Sequence, residues 1–252
     1  MPFMDLEDAR DAKGLRLVVV AGVPSPWSQA ARGLLCVKGI DPPIVQMGRD
    51  PAVTEWTGLP NAPVAMFDGE LPRSGWAEIL ALVERIQPEP RLVPEDPDQR
   101  MLMYGLSQEL MGEGGIAWNA RLAAISTSLD PNTPGGWPAP VAQYLAQRYG
   151  YDDGSGPPAR EQLHASLGLF DAQLKRSKPA GPYYLGASIS ALDVYSVAVI
   201  DALALLPDDQ CPMKPSRRNA FLAMGAGVDV PPELVVHRDM MHAHHIPLPL
   251  DF

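Results

Sequence analysis

Ser25-Pro26-Trp27-Ser28 follows a short apolar run and opens a helical pattern. A hydroxyl at a helix N-terminus can donate to an anion, a thiolate for instance, while the helix dipole adds positive potential. Ser25 occupies that place, and Ser28 is the alternative donor. The same residues also make an ordinary helix start, with serine as N-cap and proline at the first helical position. Neither serine can form a mixed disulfide, which argues against thiol–disulfide exchange here. Arg73-Ser74 stands before another helical run. Arg73 either pairs with a surface acid or holds a ligand carboxylate, and Ser74 either caps the helix or faces a ligand. Tyr104, Met111, Trp118 and Arg121 recur near spacings of three, four or seven, so one helix face could wall a cleft. Core packing is the competing role for Tyr104 and Trp118. Gly112-Glu113-Gly114-Gly115 interrupts that face.

His237, His242, His244 and His245 raise the question of a metal. His242 and His245 are three apart and could share a helical face, but the acid or cysteine companions of a defined site are absent. An exposed C-terminal helix and tail is expected, with no metal, although the segment IPLPLDF is apolar enough to pack back on the body. Cys36 sits in an apolar helical run and reads as a small buried hydrophobe. With Cys211 as the only other cysteine, no disulfide framework is indicated. The 252 residues carry a net charge of −10, which repels phosphate backbones and anionic membranes. Neither nucleic acid nor a membrane is an expected partner. The first fourteen residues are acidic and unlike a signal peptide, so the cytosol is the expected location.

These residues need elements to position them. Leu15 to Ala21 reads as a buried strand, Trp27 to Lys38 as a helix, Pro43 to Met47 and Pro63 to Phe67 as further strands. Glu70 to Arg73 reads as a fourth strand, joined to the third by a hairpin turn at Asp68-Gly69. A helix then runs from Ser74 through Ile86. The order β-α-β-(α)-β-β-α implies a mixed sheet with helices packed on it. Residues 87–97 (QPEPRLVPEDP) suit a linker, and everything beyond reads helical: 98–125, 138–149, 159–177, 190–206, 216–224 and 231–245. The segments 126–140 and 150–158 read as loops.

That order, with four local motifs, is similar to the cytosolic glutathione transferase superfamily over about residues 15–206. Ser25-Pro26-Trp27-Ser28 resembles the CPxC site of thioredoxin-type folds with both cysteines replaced by serine. In several transferase classes a serine, cysteine or tyrosine near this place contacts the glutathione sulfur. Asn61-Ala62-Pro63-Val64 resembles the segment whose proline is cis and whose preceding residue bonds the glutathione cysteinyl backbone; from the residues alone, Pro63 is equally a strand-starting proline. Arg73-Ser74 resembles the pair that holds the γ-glutamyl group, with Arg73 in place of an acid or glutamine and Trp76-Ala77 altering the helix start. Tyr184-Leu185-Gly186 followed by Ser190-Ala191-Leu192-Asp193 resembles the buried capping box of the second domain. Physically, Ser190 caps the first turn while Asp193 reaches back to the Ser190 amide.

The resemblance implies a thioredoxin-like mixed-sheet domain plus an all-α domain. Residues 1–14 form an N-terminal extension, 15–87 the glutathione-binding domain, 88–97 the linker and 98–252 the helical domain. It implies glutathione as co-substrate, held by Pro26, Trp27, Ala62, Pro63, Arg73 and Ser74 and activated by Ser25 or Ser28. It further implies a small hydrophobic electrophile in the Tyr104–Arg121 pocket, and a homodimer. The rival is a non-catalytic ligand- or protein-binding member of the same fold, which Arg73 and the altered helix start favour.

Overall fold

The central strand, Leu15–Val20 (β1), is apolar because both of its faces are covered. The computed structural model describes residues 3–48, 51–133 and 135–250. β1 pairs in parallel with Ile44–Met47 (β2), Leu17 opposite Ile44, and antiparallel with Val64–Phe67 (β3), Val18 opposite Val64. Side-chain alternation along β1 then sorts two cores. Leu15, Leu17 and Val19 face the helices Pro26–Val37 (α2) and Trp76–Ile86 (α4). Val18, with Val45 and Val64, faces Leu6–Asp11 (α1) and Pro51–Thr57 (α3).

The fourth strand expected over Glu70–Arg73 is reduced to one bridge, Arg73 with Ala65. The turn at Asp68-Gly69 does form, with Asp68 at φ 47°. Its Glu70 N–H takes the Phe67 carbonyl at 3.0 Å, the acceptor a longer ladder would use, and Leu71 is left 85% exposed. Pro72 offers no N–H to the outer edge, which blunts it against further strands.

Beyond the linker the chain is helical: Pro97–Met111 (α5), Ile116–Leu129 (α6), Ala139–Tyr149 (α7), Gly156–Ser177 (α8), Ala191–Leu203 (α9), Pro215–Gly225 (α10) and Pro232–His244 (α11). The continuous helix expected over 98–125 is two helices, broken at Gly112–Gly115, where Gly114 adopts φ +78°. The second of them runs on to Leu129, into the stretch read as a loop. Every residue of α9 is buried. It crosses α2 so closely that a Cβ on Gly33 would lie 2.7 Å from Val194 Cγ1. The capping box at Ser190 and Asp193 is present.

The C-terminal helix is not the exposed element expected from sequence. α11 packs on α9, with His237 and His242 buried. Their acid companions come from α9 rather than from nearby sequence: His237 Nε2 lies 3.0 Å from Asp193 Oδ1, and His242 Nε2 lies 3.1 Å from Asp201. The Leu250 amide bonds the Gln210 carbonyl at 2.8 Å, pinning the tail to the body. Both cysteines are free. No described helix is long and apolar enough to cross a membrane.

Candidate functional site

The N-terminus of α2 opens on a cavity of about 630 Å³, walled by the β1–α2 loop, the end of β2, the segment before β3, and helices α6, α7 and α10. Ser25 is the N-cap, in extended conformation, yet its side chain makes no capping hydrogen bond. Its carbonyl closes the first helical turn by accepting from the Gln29 N–H at 2.8 Å. Pro26 has no N–H, so the Trp27 and Ser28 amides are the helix-start donors without an intrahelical acceptor. The Ser25 hydroxyl therefore stands on the cavity wall uncommitted to the helix it begins.

Ser28, the alternative donor, has a different task. It is fully buried, and its Oγ accepts the Val20 N–H at 3.1 Å, holding the end of β1 to α2. It does not reach the cavity wall. Trp27 does, and its indole N–H donates to the Met111 carbonyl at 2.9 Å, tying the start of α2 to the end of α5.

Ala62 lies on the cavity wall and the Ala62–Pro63 peptide is cis, as the resemblance implied. The β1–β3 ladder stops at Val18–Val64, and the Val20 amide goes to Ser28 instead. Ala62 is thus left beyond the end of the ladder, and it lines the same cavity as Ser25.

The two remaining glutathione-site expectations fare differently. Arg73 points to the surface, where Nη2 lies 2.6 Å from Glu70 Oε2, and Arg85 holds the same carboxylate at 2.7 Å. These two guanidiniums hold the Glu70 carboxyl below its ordinary range. Ser74 and Pro63 border a separate void of only about 10 Å³. Trp76 fills that place, packed edge-on against Tyr195 at 5.6 Å and tilted against Tyr104 at 6.2 Å. The helix itself starts at Gly75, whose amide is held by Glu78 at 3.1 Å, so Ser74 is not its cap.

Of the four residues expected to wall a pocket, Arg121 alone does so. Tyr104 packs in the Trp76 cluster, Met111 is core, and Trp118 stands behind Tyr149 with ring centroids 4.8 Å apart. The rest of the wall comes from α7 and α10. Val141, Tyr144, Leu145 and Arg148 line it at i, i+3, i+4 and i+7, a helical stripe readable in the sequence as one face of 138–149. Trp137 and Phe221 complete the apolar lining, and Arg217 reaches across to the Ala21 carbonyl at 3.2 Å. That crossing requires Gly22, since a Cβ there would sit 1.9 Å from Arg217 Nη1.

Arg121 is the least ordinary group in the cavity. It is 8% exposed and lies over three rings: Trp137 at 5.0 Å, Tyr149 at 5.8 Å and Trp27 at 6.0 Å. Its Nε has no hydrogen-bond partner. Burial pushes its pKa down, and the only opposing influence is Tyr149. Among the described residues no aspartate or glutamate lines the cavity. Among the described residues no cluster of three histidine, cysteine or acidic groups is arranged to hold a metal.

No protein-family model matches the chain, and neither does any curated protein. Solved structures do. A glutathione S-transferase from Methylobacillus flagellatus with glutathione bound is 17% identical and superposes with a TM-score of 0.62, covering 90% of this chain and 94% of its own. A glutathione S-transferase from Methylobacterium radiotolerans, in complex with glutathione sulfonate, is 18% identical with a TM-score of 0.61 and 91% coverage of both chains. The β-etherase LigF from a Sphingobium strain is 17% identical with a TM-score of 0.61, covering 92% and 96%. The chain has the glutathione transferase fold, a thioredoxin-like mixed-sheet part followed by an all-helical part.

Proposed function

We propose that the protein is a glutathione-dependent transferase in which the Ser25 hydroxyl stabilises a bound thiol as its thiolate for attack on a small hydrophobic electrophile. One observation carries the reading: a hydroxyl at the start of a twelve-residue helix makes no cap and faces a 630 Å³ cavity. Glutathione, when bound, supplies the sulfur nucleophile. The chain's own contribution is electrostatic. Ser25 donates a hydrogen bond to the anion, the free helix-start amides and the α2 dipole add positive potential, and both act before the reaction begins. Ala62, beside cis-Pro63 and past the end of the ladder, is the place for the peptide backbone of the tripeptide. Solved structures of the same fold with glutathione and glutathione sulfonate bound support glutathione as the ligand. A homodimer in the cytosol belongs to this reading.

A second reading has its own observation. Trp76 occupies the space beside Ser74 and Pro63, and Arg73 is turned away to Glu70, so nothing there receives a γ-glutamyl group. A protein that keeps the fold but binds other ligands would look like this. Calorimetric titration with glutathione separates the two. The transferase reading expects a dissociation constant in the micromolar to millimolar range. No heat at saturating glutathione, with no activity towards a panel of electrophiles, would leave the binding-protein reading in its place.

A further inference from the structure

We propose that the cavity takes a small aromatic carboxylate, its carboxylate paired with Arg121. This names the class of the second ligand at the site described above, and so rests on that cavity being the ligand site.

The cavity's charge is opposite to that of the protein around it. The chain carries a net charge of −10, yet among the described residues three arginines and no acid line this space. Arg148 and Arg217 are exposed at the mouth, where they draw an anion in along the field. Arg121 lies deeper and is the one that lacks water. A guanidinium taken out of water needs an anion or a full set of hydrogen-bond acceptors, because its solvation is lost and nothing else replaces it. Here the chain supplies a hydrogen bond to the Tyr149 hydroxyl and no anion: no carboxylate influences Arg121, and Nε stays unpaired. The three surrounding rings stabilise the cation face-on and leave its N–H edge for an acceptor.

Shape and lining decide what carries the anion. A planar, forked donor matches a carboxylate, with two parallel hydrogen bonds. Most of the remaining wall is apolar and aromatic, with Trp137, Val141, Tyr144 and Phe221 bordering the space. A volume of about 630 Å³ suits a molecule of one or two rings rather than a bare anion.

The test uses the whole chain without glutathione. Calorimetry compares naphthalene-2-carboxylate with naphthalene-2-carboxamide, which has the same shape and no charge. The carboxylate is expected to bind at least about 10-fold more tightly, a difference of about 1.4 kcal/mol. Arg121→Met should remove that preference while both ligands still bind. Arg148→Gln with Arg217→Gln should keep it, and this double variant holds Arg121 intact should Arg121→Met fail to fold. Equal binding of the two ligands, no binding of the carboxylate, or a preference that survives Arg121→Met or vanishes in the mouth double variant would overturn the proposal. Because glutathione is absent, a failed glutathione titration leaves this result standing, and the reverse holds too.

Discussion

Two regions bury ionised groups, and they treat them in opposite ways. Between α9 and α11, Asp193 is fully buried and fully engaged. Oδ2 accepts from the Ser190 N–H and hydroxyl at 2.8 and 2.7 Å, and Oδ1 lies 3.0 Å from both the Tyr184 amide and His237 Nε2. One turn pair further on, Asp201 meets His242 at 3.1 Å and Arg238 at 3.8 Å. At the cavity, Arg121 is buried almost as deeply without a counter-ion. A charge the chain itself satisfies holds elements together; a charge left unsatisfied on a cavity wall is available to something that arrives.

The contrast makes removal of the two kinds of charge unequal. Asp193→Ala would strand two backbone amides, a hydroxyl and a histidine in the core, and should lower stability by about 3–5 kcal/mol in denaturant unfolding. Ser190→Ala should lose less, and the double variant less than the sum, because both act on one network. A loss below about 1 kcal/mol for Asp193→Ala would erase the distinction between the regions.

The Asp201–His242 pair between α9 and α11 should also make stability depend on pH. Burial alone would pull the His242 pKa down, but Asp201 and the Ile246 carbonyl outweigh it and raise it. Burial likewise raises the Asp201 pKa against the pull of His242 and Arg238. A histidine that holds its proton more tightly when folded contributes fully below its ordinary value of about 6.5 and loses that contribution as pH rises through the folded value. Unfolding free energy should therefore fall as the solution is made more alkaline from about pH 6.5, and the slope should flatten in His242→Gln. A slope unchanged by that substitution would place the titration elsewhere.

On the cavity side the expected changes are small. Arg121→Met removes a desolvated cation and also its ring contacts, two effects of opposite sign, so stability should stay within about 1 kcal/mol. A collapse of the fold would mean that Arg121 is structural after all. Ser25→Ala should cost even less, below about 0.5 kcal/mol, because no cap is lost.

The sequence made the positional parts of this molecule legible and left the pairings dark. Ser25 before Pro26, Ala62 before Pro63 and the Ser190–Asp193 box are local patterns, and each sits where its neighbours in sequence require. The task of Ser28 is not legible locally, because its partner, the Val20 amide, is fixed by tertiary packing of α2 on β1. Trp76 is legible as a departure at the helix start, but how it acts is not: its bulk, packed with Tyr104 and Tyr195, closes the space beside Ser74. The acid nearest the histidines in sequence, Asp239, goes to Arg238, and His237 and His242 find theirs forty-odd residues upstream on α9. The stripe on α7 was the missed opportunity: Val141, Tyr144, Leu145 and Arg148 mix apolar and cationic residues on one face, a pattern that suits a ligand wall better than a core.

The most direct test is the ionisation of the glutathione thiol on the protein, followed by ultraviolet thiolate absorbance as pH is varied. If Ser25 and the start of α2 hold the thiolate, the bound thiol should titrate well below the value of about 8.5 typical of a free cysteine thiol, and should move back towards it in Ser25→Ala with glutathione affinity little changed. A bound thiol that titrates as it does free in solution, or a lowered value that Ser25→Ala leaves untouched, would contradict the role given to Ser25.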